Sequence, residues 1–256
     1  MSEAVAHADV HADAHGHAEH HPRLQHHFET MAQQKEASTL GMWVFLLTEV
    51  LFFGGLFFAY MVYRVWYFDA FAEASRTLDI TLGALNTAVL IGSSLTMALG
   101  VRAAQTSQRS ATVFWLILTI LLGCVFLGVK VVEYADKFEH HHVPGPNFVW
   151  ASEHEAAPAG EGAAAAGAEH AAPSNGAELQ GLTQIYFSLY FTMTGLHALH
   201  MIVGVVLMSV IAWMAYKGRF DAHYYTPVEM AGLYWHFVDL VWIYLFPLLY
   251  LVERHN

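Results

Sequence analysis

Residues 234–250, YWHFVDLVWIYLFPLLY, are long and apolar enough to cross a lipid bilayer as a helix, yet they carry His236 and Asp239 in their interior. An ionisable group in hydrocarbon costs several kcal/mol unless it finds a partner, so such residues mark either a site with chemistry or a polar contact between helices. His236 and Asp239 are three apart and therefore share one helical face, with Trp235 and Trp242 flanking it. This stretch alone leaves both readings open.

Working outward, the rest of the chain repeats the pattern. Hydrophobic residues make up 56% of the 256 positions. They fall in continuous runs, several exceeding about 18 residues, which indicates helices and not the alternating strands of a membrane barrel. Four spans precede the one above: 40–66, 78–101, 111–134 and 184–216, with the last running over 228–252. Ser38 or Thr39 is placed to cap the first, whose Trp43 and Tyr63–Trp66 cluster suit the two interfaces. The expected fold is an all-α integral membrane protein, a bundle of five transmembrane helices with no soluble domain. Its parts are a disordered tail (1–39), helices 1–3 (40–134), an outer loop (135–183) and helices 4–5 (184–252). Lys and Arg favour an inside N-terminus and an outside C-terminus: Arg23, Lys35, Arg102, Arg109, Lys217 and Arg219 flank the inner ends, against Arg64, Arg76, Lys137 and Arg254 outside.

The two polar segments differ in kind. The tail carries His7, His11, His15, His17, His20, His21, His26 and His27, which attract divalent metals weakly but without fixed geometry. The outer loop is acidic and rich in Ala and Gly, the composition of a solvated linker. A formal charge of −11 argues against nucleic acid, or an anionic lipid surface, as the main partner. The single cysteine, Cys124, excludes an intrachain disulfide, a Cys-only zinc site and a Cys-ligated iron–sulfur cluster.

Each span holds polar residues that need an explanation. Glu49 has no basic neighbour in its span, so it is expected to be protonated or hydrogen-bonded to another helix. Gly54 and Gly55 leave a notch for a helix or a lipid chain. Asn86 is expected to bond across an interface, beside the small residues Gly92, Thr96 and Gly100. Lys130 and Glu133 read as an ion pair near the membrane surface, with Lys130 also able to snorkel outward. His197 and His200 lie near mid-membrane. One reading gathers Glu49, His197, His200, His236 and Asp239 into a metal site, but repeated Glu-x-x-His pairs are missing. A proton or ion carrier would use the same groups, though no inverted repeat or paired broken helices appear. A haem ligated by membrane histidines is a further option. A structural subunit whose polar groups fix helix contacts ranks first on physical grounds.

Five motifs, in this order and spacing, add a resemblance. They are LLTEVLFFGGLFFAY around Glu49, LNTAVLIGSS around Asn86, KVVEY ending at Tyr134, TGLHALHMIVG around His197 and His200, and GLYWHFVDLVWIYLF around His236 and Asp239. Together they make the chain resemble subunit III of the haem–copper oxidases, most like cytochrome c oxidase subunit III in its five-helix form. Lys217-Gly218-Arg219-Phe220 resembles the Gly-x-Phe turn before the family's last helix. The resemblance implies a non-redox accessory subunit in a bacterial cytoplasmic membrane, packed against subunit I, with subunit II and other respiratory complexes as further partners. It implies haem and copper in the partner subunits and none in this chain, bound phospholipid, and support of proton uptake as oxygen is reduced to water. It makes Glu49, Asn86, Glu133, His197, His200, His236 and Asp239 buried polar signature positions. Lys217, Arg219, Trp235 and His236 become candidates for lipid headgroups; none of these residues is assigned catalysis or a metal. Cytochrome c is the expected donor. A quinol oxidase subunit III is the close alternative, and a stand-alone transporter or intramembrane metal protein a distant one.

The acidic loop suggests long-range attraction for a basic cytochrome c. Deleting residues 151–178 should then flatten the ionic-strength dependence of cytochrome c oxidation; an unchanged dependence reduces the loop to a linker.

Overall fold

A computed structural model describes residues 24–139, 143–145, 175–222 and 224–251. Most of the His-rich tail and the Ala-rich centre of the outer loop lie outside the described residues. Among those described, the elements are α1 (Met31–Trp66), α2 (Phe68–Arg76), α3 (Ile80–Gln105), α4 (Arg109–Glu139), α5 (Asn175–Tyr216) and α6 (Thr226–Tyr250). Five helices are long and apolar enough to cross a membrane, and α2 is the exception. The architecture is the all-helical membrane bundle expected.

The ends of the helices differ from expectation for identifiable reasons. Helix α1 begins at Met31, so residues 31–39, expected in the tail, are helical. Thr30 is its cap: the Thr30 hydroxyl accepts from the Gln33 N–H at 3.1 Å, while the Gln33 side chain accepts from the Glu29 N–H at 2.8 Å. Ser38 and Thr39, the expected caps, return their hydroxyls to the Gln34 and Lys35 carbonyls inside the helix. At the other side of the membrane α4 continues past Tyr134 to Glu139, and α5 begins at Asn175, so the outer connection is shorter than 135–183. With 42 residues, α5 is about 63 Å long and overshoots the hydrocarbon layer of roughly 30 Å. The unforeseen α2 buries Phe71, Ala74 and Ser75 on one side and rests against α5. Asp79 then caps α3, accepting from the Thr81 N–H at 2.7 Å.

On the opposite face two tight turns join the spans, and each ends a helix with a left-handed residue. At Gly218 (φ 71°), Arg219 N–H bonds Met214 O at 3.1 Å and Gly218 N–H bonds Ala215 O at 2.9 Å, a Schellman cap. Ser107 (φ 58°) closes α3 in the same pattern. Its hydroxyl accepts from the Ala222 N–H at 2.7 Å, tying the two turns together.

Helices α3, α4, α5 and α6 form a ring in which each packs on its two neighbours, while the diagonal pairs do not approach backbone to backbone. Helix α1 lies outside the ring on α5 and α6 and meets neither α3 nor α4. The ring closes on Trp235 of α6, which is fully buried. Its indole N–H donates to the Ser93 hydroxyl of α3 at 3.2 Å. Its ring lies so close to Gly123 of α4 and Gly204 of α5 that a Cβ there would sit 2.7 and 2.9 Å from it. One side chain therefore touches all three other helices, and the expectation that Trp235 meets lipid headgroups is corrected. Of the expected small-residue face on α3, Thr96 bonds Thr119 of α4 at 2.8 Å, and a Cβ on Gly100 would lie 3.4 Å from Trp115, while Gly92 has nothing within 4 Å.

Gly123→Val should lower the unfolding free energy in detergent by about 1–3 kcal/mol, the usual cost of overpacking. Gly55→Ala, with nothing within 4 Å of its added Cβ, should leave it unchanged. Equal midpoints for the two variants would remove the indole wedge from this account.

Candidate functional site

The most complete polar site is built on Lys130 and Glu133 of α4. Their side chains are 3% and 4% exposed and meet at 2.9 Å between Nζ and Oε2. The expected ion pair is formed, and it is enclosed by protein, so Lys130 does not snorkel outward. The physical reason lies in the hydroxyls that face it from α5 and α6. Lys130 Nζ also donates to Tyr190 of α5 at 3.3 Å and Tyr250 of α6 at 3.0 Å. Both tyrosines in turn donate to Glu133 Oε1, Tyr190 at 2.7 Å and Tyr250 by a shorter bond. All three ammonium protons thus find acceptors, and both carboxylate oxygens find donors. The rings of Tyr134, Tyr190, Trp242 and Tyr250 lie 5.1–5.7 Å from Nζ and supply π faces to the cation. The cluster joins α4, α5 and α6 across the ring.

A second site joins α1 to α5. Glu49 Oε2 lies 3.2 Å from His200 Nε2, and His200 Nδ1 lies 2.8 Å from the Leu196 carbonyl. Because a carbonyl only accepts, Nδ1 carries a proton there. The Nε2 contact to Glu49 then joins α5 to α1. Glu49 thus has the bond to another helix that its position requires. Tyr234 of α6 donates to the His200 carbonyl at 3.0 Å, and Phe53 packs edge-on at 5.3 Å.

The remaining sequence candidates do not converge. His236 Nδ1 lies 2.7 Å from the Ser94 hydroxyl of α3. Asp239 is buried near that same serine, but neither carboxyl oxygen has a partner of hydrogen-bond geometry among the described residues. His197, three residues from His200, faces the interior of the ring. It packs against Phe126 at 5.4 Å and Trp242 at 5.3 Å, and neither ring nitrogen has a protein partner among the described residues. The Asn86 amide is equally buried and unpartnered there, so its expected cross-helix bond is not formed. The five residues gathered in the metal reading are spread over separate contacts. Among the described residues no group of three or more His, Cys, Asp or Glu is placed to hold a metal ion.

Of the headgroup candidates, Lys217 and Arg219 are exposed in the α5–α6 turn, with Lys217 Nζ 3.8 Å from the Trp213 ring. His236 lies well inside its span instead. Two clamps escaped the sequence reading. Lys35 reaches the Tyr225 hydroxyl at 3.0 Å and Glu229 at 3.4 Å, fastening α1 to the start of α6. Arg109 donates to the Tyr216 carbonyl and ties α4 to the end of α5. Long-range partners of this kind leave no local pattern; the only signal was a Tyr-rich lining in spans where Leu or Val would serve.

These features define a class: a polytopic helical membrane subunit whose intramembrane polar groups mostly bridge helices instead of lining an open cavity. The family described as cytochrome c oxidase subunit III matches residues 21–141 and 177–253. Cytochrome c oxidase subunit 3 of Thermostichus vulcanus is 30% identical over 216 residues, covering 84% of this chain and 87% of that protein. The protein of that name from Corynebacterium diphtheriae is 30% identical over 217 residues, 84% and 88% of the two chains. A probable quinol oxidase subunit 3 of Staphylococcus aureus is 24% identical over 224 residues, 88% and 93%. The chain belongs to the cytochrome c oxidase subunit III family.

The buried pair gives a sharp expectation. Lys130→Met or Glu133→Leu alone should cost about 3–5 kcal/mol of unfolding free energy, because each strands a buried charge or hydroxyl. Lys130→Met with Glu133→Leu should cost less than the larger single loss in a double-mutant cycle. Additive losses would show that the two side chains do not act as a unit.

Proposed function

We propose that this chain is the non-redox subunit III of a proton-pumping haem–copper oxidase that accepts electrons from cytochrome c. In this reading it packs against subunit I, with subunit II and other respiratory complexes nearby, and holds phospholipid. It stabilises the oxygen-reducing partner while lacking a catalytic centre of its own. Its place is a bacterial cytoplasmic membrane, N-terminus inside and C-terminus outside. Haem and copper belong to the partner subunits. The observation that carries the reading is the use of the span residues: Lys130, Glu133, Glu49, His200 and His236 are occupied in contacts between helices. The Glu49–His200 contact is the feature that suits a role beside proton uptake, and Lys217 and Arg219 are the groups suited to lipid phosphate.

A quinol oxidase is the second reading, favoured by the Staphylococcus aureus relative. Affinity purification from native membranes should bring down haem-bearing subunits at a fixed ratio to this chain, read by absorbance and mass spectrometry. The complex should oxidise reduced cytochrome c; oxidation of quinol alone selects the second reading. Recovery of the chain by itself, with ion or proton flux in liposomes, overturns both in favour of a transporter.

A further inference from the structure

Helix α6 has two neighbours on its outer side, α1 and α3, and these do not touch one another. The strip of α6 between them is a groove floor. It carries Leu240 and Ile243, 51% and 45% exposed, and the half-buried His236. Beside it α3 exposes Ile91 and Leu95, the latter next to Ser94. Apart from the imidazole this strip is plain hydrocarbon surface.

The imidazole sets it apart from the other outward faces. Exposed hydroxyls within the spans are satisfied by their own helices: Thr48 donates to Phe45 O at 2.6 Å, Thr192 to Ser188 O at 2.7 Å and Ser209 to Val205 O at 2.7 Å. His236 uses Nδ1 on Ser94, and an imidazole has a second nitrogen that also needs a partner. His236 lies ten residues into α6, about 15 Å from its start and so close to the midplane of a layer roughly 30 Å thick. Lipid chains offer nothing to hydrogen-bond at that depth, and neither does water. A polar atom facing outward there is satisfied by protein.

We infer that the α1–α6–α3 groove is a docking surface for a transmembrane helix of another oxidase subunit, which brings a hydroxyl or amide side chain to His236 Nε2. A hydroxyl or amide both donates and accepts, so it matches either tautomer that the Ser94 contact selects. Leu240, Ile243 and Ile91 supply the apolar flanks against which such a helix packs. The inference rests on the subunit reading above and adds to it the surface and the chemistry of the contact.

The test uses the whole complex purified from membranes. A photo-reactive benzoylphenylalanine at Leu240 should cross-link to another oxidase subunit. Cross-links only to lipid, or only to a second copy of this chain, overturn the inference. His236→Leu should lower the amount of this chain retained per haem after detergent washing by about three- to fifteen-fold, the range of interhelical hydrogen bonds in membranes. His236→Gln, which keeps an amide at that position, should restore most of it. Ser94→Ala, which removes only the contact inside this chain, should leave retention unchanged. A loss with Ser94→Ala equal to that with His236→Leu assigns the histidine to the internal fold and refutes docking. Wild-type chain that purifies without haem-bearing partners fails the subunit reading itself, whereas wild-type chain that copurifies but cross-links only to lipid fails the docking surface alone.

Discussion

Hydrocarbon neither donates nor accepts a hydrogen bond, and this constraint governs where most polar side chains in the bundle go. The Lys130–Glu133 cluster meets it most fully. A cation and an anion, each too costly to bury alone, are buried together because two tyrosines from two other helices complete their bonding. The same requirement explains why the exposed Thr and Ser side chains of the spans fold back on their own carbonyls. Polar groups here are evidence of where helices meet.

Packing then sets which helices meet. Glycines at 123 and 204 open space on α4 and α5 into which the Trp235 ring fits, and Ser93 fixes the ring's rotation from the fourth side. The four-helix ring is therefore locked near its middle by an aromatic wedge and, toward one end, by an ion cluster. Helix α1 has no such lock. It is held along its length by the Lys35 clamp, the Glu49–His200 pair and the aromatic contact of Phe53 with Phe237 at 6.3 Å.

Much of this was legible in the sequence because hydrophobic length is a local property. All five spans, the Glu49 bond to another helix and the departure of His236 from an ordinary membrane face were readable from single stretches. What failed depended on distance along the chain. Trp235 stood as a lipid-headgroup candidate because nothing near it in sequence reveals two glycines on other helices. Lys130 looked free to snorkel because Tyr190 and Tyr250, which enclose it, lie 60 and 120 residues away. His197 and His200 looked like a pair from their spacing, yet a shift of three residues on α5 was enough to send one toward the core and the other toward α1. Helix α2 was missed because nine residues with a polar face resemble a connection.

The peripheral seat of α1 has a consequence for biosynthesis. It leaves the ribosome ahead of the other four spans described, yet the spans it packs on are α5 and α6. Glu49 enters the bilayer 151 residues before His200 exists, a delay of about 8–30 s at ordinary translation rates. During that time α3 and α4 can close as a hairpin on their own, while α1 waits at the side of the growing bundle with a lone carboxyl group among lipids. Helix α1 can therefore take its seat only after α5 and α6 have arrived.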